Sequence, residues 1–202
     1  MKTGYRSAML VLPILLLLFS STMAQEKMGD MKMSNETKGV QGAFLKQSKG
    51  VDGEFLKLAE AVPQEKYNWR PMEGVRSIAE AFLHVAGGNY VTLTTMGGKL
   101  PEGVDMRSLE KSTTDKAKIA EEIKKSFKAV NDFVATVPDK DFDRHVNFFG
   151  NDMTVLDMIM LAANHQHEIL GQAIAYSRMN QIVPPWTAER QARMQQQQQK
   201  KN

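Results

Sequence analysis

The chain has 202 residues, 42% of them hydrophobic, a formal charge of +3 and no cysteine. That length supports one domain with a sizeable core, and the missing cysteine excludes disulfides, thiolate metal ligands, a cysteine nucleophile and a lipidated N-terminal cysteine. Several positive charges sit near the two ends (Lys2, Arg6, Arg190, Arg193, Lys200, Lys201), with no basic stripe interleaved with aromatics, so no nucleic-acid surface is expected.

In chain order, residues 1–24 come first: a basic start, an apolar stretch from Ala8 to Phe19 and a small-residue exit at Thr22-Met23-Ala24. This pattern predicts a secretory signal peptide cleaved after Ala24. The alternative, an uncleaved anchor, is disfavoured because the apolar stretch is only about a dozen residues long, against the roughly 20 that a membrane helix needs. The expected destination is therefore the periplasm or the exterior, with no stable membrane span after cleavage. Residues 25–36 are rich in Met, Lys and Gly without periodicity and predict a disordered segment.

Four helices follow, fenced by turn signals. The first is expected over about Thr37 to Ala61, stopping before Pro63 and weakened by Gly39, Gly42, Gly50 and Gly53, each at up to about 1 kcal/mol relative to alanine. The second opens at Ser77, an N-cap with Glu80 in the capping-box position, and runs to about Met96 before Gly97-Gly98. The third, from Thr114 or Asp115 to about Thr136, repeats Ile119, Ile123, Phe127, Val130 and Val134 between lysines and glutamates and reads as the most solvent-facing. The fourth, from about Asp152 to Asn180, is apolar on nearly every side and is expected in the middle of a bundle. No sustained alternation of apolar and polar residues is present, so no sheet is expected. Residues 188–202 form a polar Gln- and Lys-rich tail, either disordered or a solvated helical extension.

The fourth helix contains Asn164-His165-Gln166-His167-Glu168-Ile169-Leu170-Gly171-Gln172, and so two of the four histidines. At about 100° per residue, His165, Ile169, Gln172 and Tyr176 share one face while His167 points nearly opposite. The two histidines therefore cannot chelate one ion from a regular helix. On the second helix His84 shares a face with Glu80, Gly88 and Val91, and antiparallel packing would set it opposite His165. Zinc with an open position normally has three protein ligands, and the candidates for a third are Glu168, Glu80 and Gln172. Against a metal stands the commoner role of a helical histidine as a hydrogen-bonded core residue. His167 is expected to be structural, bonded to a backbone carbonyl or a tyrosine. His145 is expected to be a solvated loop residue among Asp141, Asp143 and Arg144. Tyr67 and Trp69, in Tyr67-Asn68-Trp69-Arg70-Pro71, read as a hydrophobic lid over one end of the bundle, with a pocket rim as the alternative.

Several segments in order, Leu58 to Pro63, Tyr67 to Pro71, Gly74 to Glu80, His84 to Ala86, Met153-Thr154 and His165 to Trp186, give the chain a specific likeness. Over about residues 37–187 it resembles the DinB-like superfamily of four-helix bundles. The expected fold is thus all-α, an up-down-up-down four-helix bundle. The resemblance implies a divalent metal, zinc or nickel, held by one histidine on the second helix and two at i, i+4 on the last, ahead of a Gly-Gln pair. Carried onto this chain, those positions are His84, His165 and Ile169, and isoleucine cannot coordinate. The resemblance also implies a homodimer, and kinship with metal-dependent transferases and hydrolases that use a small-molecule or thiol substrate. Two expectations follow. One is an exported metal-binding protein with His84, His165 and Glu168 as ligands. The other is a non-catalytic bundle with a degenerate metal site, acting as a binding or stress-associated module.

Overall fold

Ser77 and Thr154 open the two helices that carry the histidines, and each closes a reciprocal capping box. The Ser77 side chain accepts from the Glu80 amide while Glu80 accepts from the Ser77 amide, and Thr154 does the same with Asp157. Each box satisfies two otherwise orphaned amides, at about 1 kcal/mol per cap. A computed structural model describes residues 39–200. Within it lie α1 (Gly39–Ala61), α2 (Ile78–Thr95), α3 (Lys116–Thr136), a hairpin of β1 (His145–Phe148) and β2 (Asn151–Thr154), then α4 (Val155–Met179) and α5 (Pro185–Gln199). The signal segment, residues 25–36 and Thr37 at the start of the first expected helix lie outside the described residues.

The all-α expectation holds, with helix limits within a few residues of those predicted. α2 and α1 each pack against both α3 and α4, so α1 and α2 face one another across the core. There Phe55, Phe82, Phe127 and Tyr67 form a chain of tilted and edge-on ring contacts. A second apolar cluster joins Phe44 of α1 with Val130 and Val134 of α3 and with Val155 and Met158 of α4.

The run of helix directions corrects the expected up-down-up-down order. Gln41, near the start of α1, donates to the Val134 and Val137 carbonyls at the end of α3, and Lys116 at the start of α3 donates to Glu60 and Val62 at the end of α1. α1 and α3 are therefore antiparallel. Ile78 to Val85 of α2 pack with Ile119 and Ile123, whereas Met96 packs with Val130 and Val134, so α2 and α3 run the same way. Phe44 meets the start of α4 and Val51 to Leu58 meet its later turns, so α1 and α4 are also parallel. The order is up-down-down-up. Its cause is the long connection 97–115, which leaves α2 at its C-terminal end and returns alongside it, through a single 3-10 turn at Leu109–Lys111, to the end where α2 began.

Two further expectations change. The central helix is α2, which has no exposed residue, and not α4. α4 carries a solvent stripe at Asp157, Met160, Asn164, His167, Glu168, Gly171, Ala175 and Arg178, and Met160 is 50% exposed despite its chemistry. Secondly, residues 145–154 form a two-stranded antiparallel hairpin with Phe148 opposite Asn151, where no sheet was expected. It is too short for alternation to be visible. The polar tail takes the helical of its two expected forms, from Pro185 to Gln199, and buries no residue. Among the described residues no helix is long and apolar enough to cross a membrane.

Candidate functional site

Antiparallel packing of α2 and α4 brings His84 and His165 together, with ring centroids 4.9 Å apart and planes at 80°. The His165 imidazole packs against the backbone of α2 at position 88, where glycine leaves room for it. A Cβ built on Gly88 would fall 2.2 Å from both Cδ2 and Nε2 of His165. Nε2 of His165 is buried and has no hydrogen-bond partner. Burial holds this imidazole below its ordinary pKa, so it is neutral near pH 7 with a lone pair available.

His84 is oriented from the other side. Its Nδ1 lies 2.5 Å from Glu110 Oε1, and Glu110 is clamped by Arg76 at 2.9 Å from Nε and 3.3 Å from Nη2. Burial alone would raise the pKa of Glu110, but the bonds from Arg76 and His84 outweigh it and the net shift is downward. Glu110 is therefore ionised and accepts from Nδ1–H, which leaves the lone pair of His84 on Nε2. A carboxylate behind an imidazole is how proteins fix the tautomer of a metal-ligating histidine.

Both rings line a cleft of about 360 Å³ between α2, α4, the crossover segment and the hairpin. Its other walls include Gly87, Val91, Met106, Leu109, Phe148, Phe149 and Leu161, and Asn164 and Glu168 border it from α4. Glu168 is thus on the rim, exposed, one turn from His165.

The remaining candidates are elsewhere. Ile169 is 5% exposed and packs into the main apolar cluster, where burial contributes about 2 kcal/mol. Glu80 caps α2 and pairs with Arg70 at 3.2 Å, and Gln172 donates to the Tyr176 hydroxyl. His167 is exposed, its Nδ1 2.8 Å from the Ala163 carbonyl oxygen, which is the structural role expected of it. His145 is exposed on β1 and pairs with Asp152, which raises its pKa. Tyr67 is fully buried, donating to the Ala59 carbonyl, and Trp69 meets Tyr176 edge-on, so this segment is a lid and not a pocket rim.

Two histidines therefore fit a metal and a complete three-residue shell does not form. Among the described residues, no three His, Asp or Glu side chains converge closely enough to enclose an ion. The orphaned Nε2 of His165 and the oriented Nε2 of His84 fit a site of two imidazoles whose other positions are left to Glu168, solvent or a ligand. Sequence reasoning missed Glu110, Arg76 and the two phenylalanines of the hairpin. The one available signal was the length of the 97–115 connection, since connections longer than about 12–15 residues are commonly functional.

Residues 50–173 match the family model described as the DinB superfamily. Two solved structures share the fold. A DinB-like protein from Bacillus cereus has 21% identity and a TM-score of 0.62, covering 70% of this chain and 93% of its own. A DinB-like protein from Bacillus subtilis has 14% identity and a TM-score of 0.53, covering 68% of this chain and 91% of its own. No curated protein matches this chain.

Proposed function

This chain belongs to the DinB superfamily, and we propose that it is a divalent-metal-binding protein whose ion sits in the α2–α4 cleft on His84 and His165. Glu168, on the rim one turn from His165, would have to swing inward to serve as a third donor. The observation that carries the reading is the pair of imidazoles 4.9 Å apart, one backed by an ionised carboxylate and the other with a buried, unpartnered nitrogen. Arg76 holds Glu110, Glu110 orients His84, and Gly88 leaves the space in which His165 lies. A bound zinc or nickel ion would supply Lewis acidity to a substrate oxygen or thiol in the same cleft. Transfer or hydrolysis on a small-molecule or thiol substrate is the reaction class this supports. Export follows from residues 1–24, and the protein is proposed to pair as a homodimer.

The second reading, a binding module with a degenerate site, is favoured by Ile169, which occupies the position where the resemblance would put a third imidazole and whose side chain packs into the core. Elemental analysis by mass spectrometry, after supplying zinc or nickel and dialysing, separates the two. The metal reading predicts close to one ion per chain, lost in His84→Ala and His165→Ala and reduced in Glu168→Gln. Wild-type protein that retains only traces contradicts it and leaves the binding module.

A further inference from the structure

The turn of the hairpin carries a bulky side chain where the backbone disfavours one. Phe149 has φ of +49° and Gly150 of +87°, in a two-residue turn between paired Phe148 and Asn151. Turns with positive φ at both positions select Asn-Gly or Asp-Gly, because a short polar side chain tolerates the left-handed region and a large one is strained there. The ring is not compensated by burial, since Phe149 is 80% exposed. Neither turn chemistry nor core packing accounts for this residue, and an unexplained strained position beside a cleft points to function.

The position of the ring supplies that function. Phe149 stands edge-on to Phe148 with centroids 4.7 Å apart, and both border the cleft that contains His84 and His165. Val91, Met106, Leu109 and Leu161 form its other apolar walls. The cleft thus has an apolar mouth and a polar end, and its volume of about 360 Å³ suits a small molecule. At the polar end the charge of Arg76 is already engaged by Glu110, and Glu168 adds a second carboxylate on the rim. An anionic head group would meet the Glu168 carboxylate with no free cation opposing it among the lining residues. A neutral head able to hydrogen-bond an imidazole or Asn164 meets no such repulsion.

We propose that the cleft takes a neutral amphiphilic small molecule, an aromatic or aliphatic body bearing one hydroxyl, thiol or arylamine group, and that Phe149 is the residue that selects for the body. The proposal rests on reading His84 and His165 as the working end of the cleft. It does not require an ion to be present.

The probe is N-phenylnaphthylamine, neutral and fluorescent in apolar surroundings, titrated into the full chain first freed of metal with EDTA and then given one equivalent of zinc. Saturable one-site binding to the metal-free protein is expected. Phe149→Ser weakens it by about tenfold, the loss of one stacked ring, while Phe149→Leu keeps most of it. Met160→Ser, which changes an exposed apolar residue on the outer stripe of α4, leaves it unchanged. The sulfonated counterpart, anilinonaphthalenesulfonate, binds more weakly than the neutral probe. Circular dichroism of each variant verifies folding. Absent binding in both metal states, equal binding by Phe149→Ser, or tighter binding of the sulfonate overturns the proposal. So does a wild-type dimer that Phe149→Ser dissociates without any probe binding, which assigns the ring to a second copy of the chain. Probe binding by a protein that holds no metal upholds this proposal while the metal reading fails, so the two are separable.

Discussion

Gly88 lets His165 lie against α2, and its side chain is a single hydrogen. Adding a methyl group there places a Cβ 2.2 Å from two ring atoms, and the ring at the end of a rotatable side chain is what must move. Gly88→Ala is therefore expected to displace His165 and abolish metal retention while leaving the helical circular dichroism spectrum intact, because alanine also favours the helix. Unchanged metal content would show that the ring position is irrelevant to the site. Asp52 makes a different point about single residues. One of its carboxylate oxygens is buried without a partner, and burial, opposed only in part by Lys124, pushes its pKa up to about 6. A carboxyl whose folded pKa lies above its unfolded value binds more protons when folded, so stability falls as pH rises from about 4 through about 6. Asp52→Asn should raise stability at pH 7 by about 1 kcal/mol, the half-solvated charge being partly screened, and should give no gain at pH 3.5. Urea unfolding at the two pH values measures this. At the residue scale His84 and His165 were legible because helical periodicity assigns faces. Glu110 was not, because it reaches His84 from 26 residues away along an irregular segment with no period to place it.

α1 is one unbroken helix of 23 residues in spite of its glycines. Tertiary packing of Phe44, Val51, Phe55 and Leu58 outweighs the propensity loss that the sequence suggested. Gly53 has nothing within 4 Å of a built Cβ and no positive φ. Gly53→Ala should then stabilise the fold by about 0.5–1 kcal/mol, seen as a higher midpoint in thermal unfolding. A lower midpoint would mean that the helix needs the glycine for a reason that its surroundings do not show. The capping box of α2 was readable as Ser77 and Glu80 three residues apart. The outer stripe of α4 was not, since Met160, Gly171 and Ala175 look apolar on paper while facing solvent. Counting apolar residues overstates burial wherever small or flexible side chains occupy the outer face.

At the scale of the whole molecule, the order of helices depends on a segment without a periodic pattern. Residues 97–115 return the chain along α2, and that return makes α2 and α3 parallel and supplies Arg76 with its partner Glu110. Family membership and an all-α fold were legible from ordered segments that span most of the bundle. The directions were not, because a connection of that length permits either. The same crossover, with the hairpin, walls the cleft in which the two imidazoles meet. The central claim is that this cleft binds a divalent ion through His84 and His165. X-ray absorption at the zinc edge, on wild-type protein and His84→Ala each loaded with one equivalent of zinc, tests it most directly. The account predicts two imidazole nitrogens on zinc in the wild type and the loss of that pair in His84→Ala. A zinc environment of oxygen ligands without imidazole in the wild type, or one identical in the wild type and His84→Ala, would contradict it.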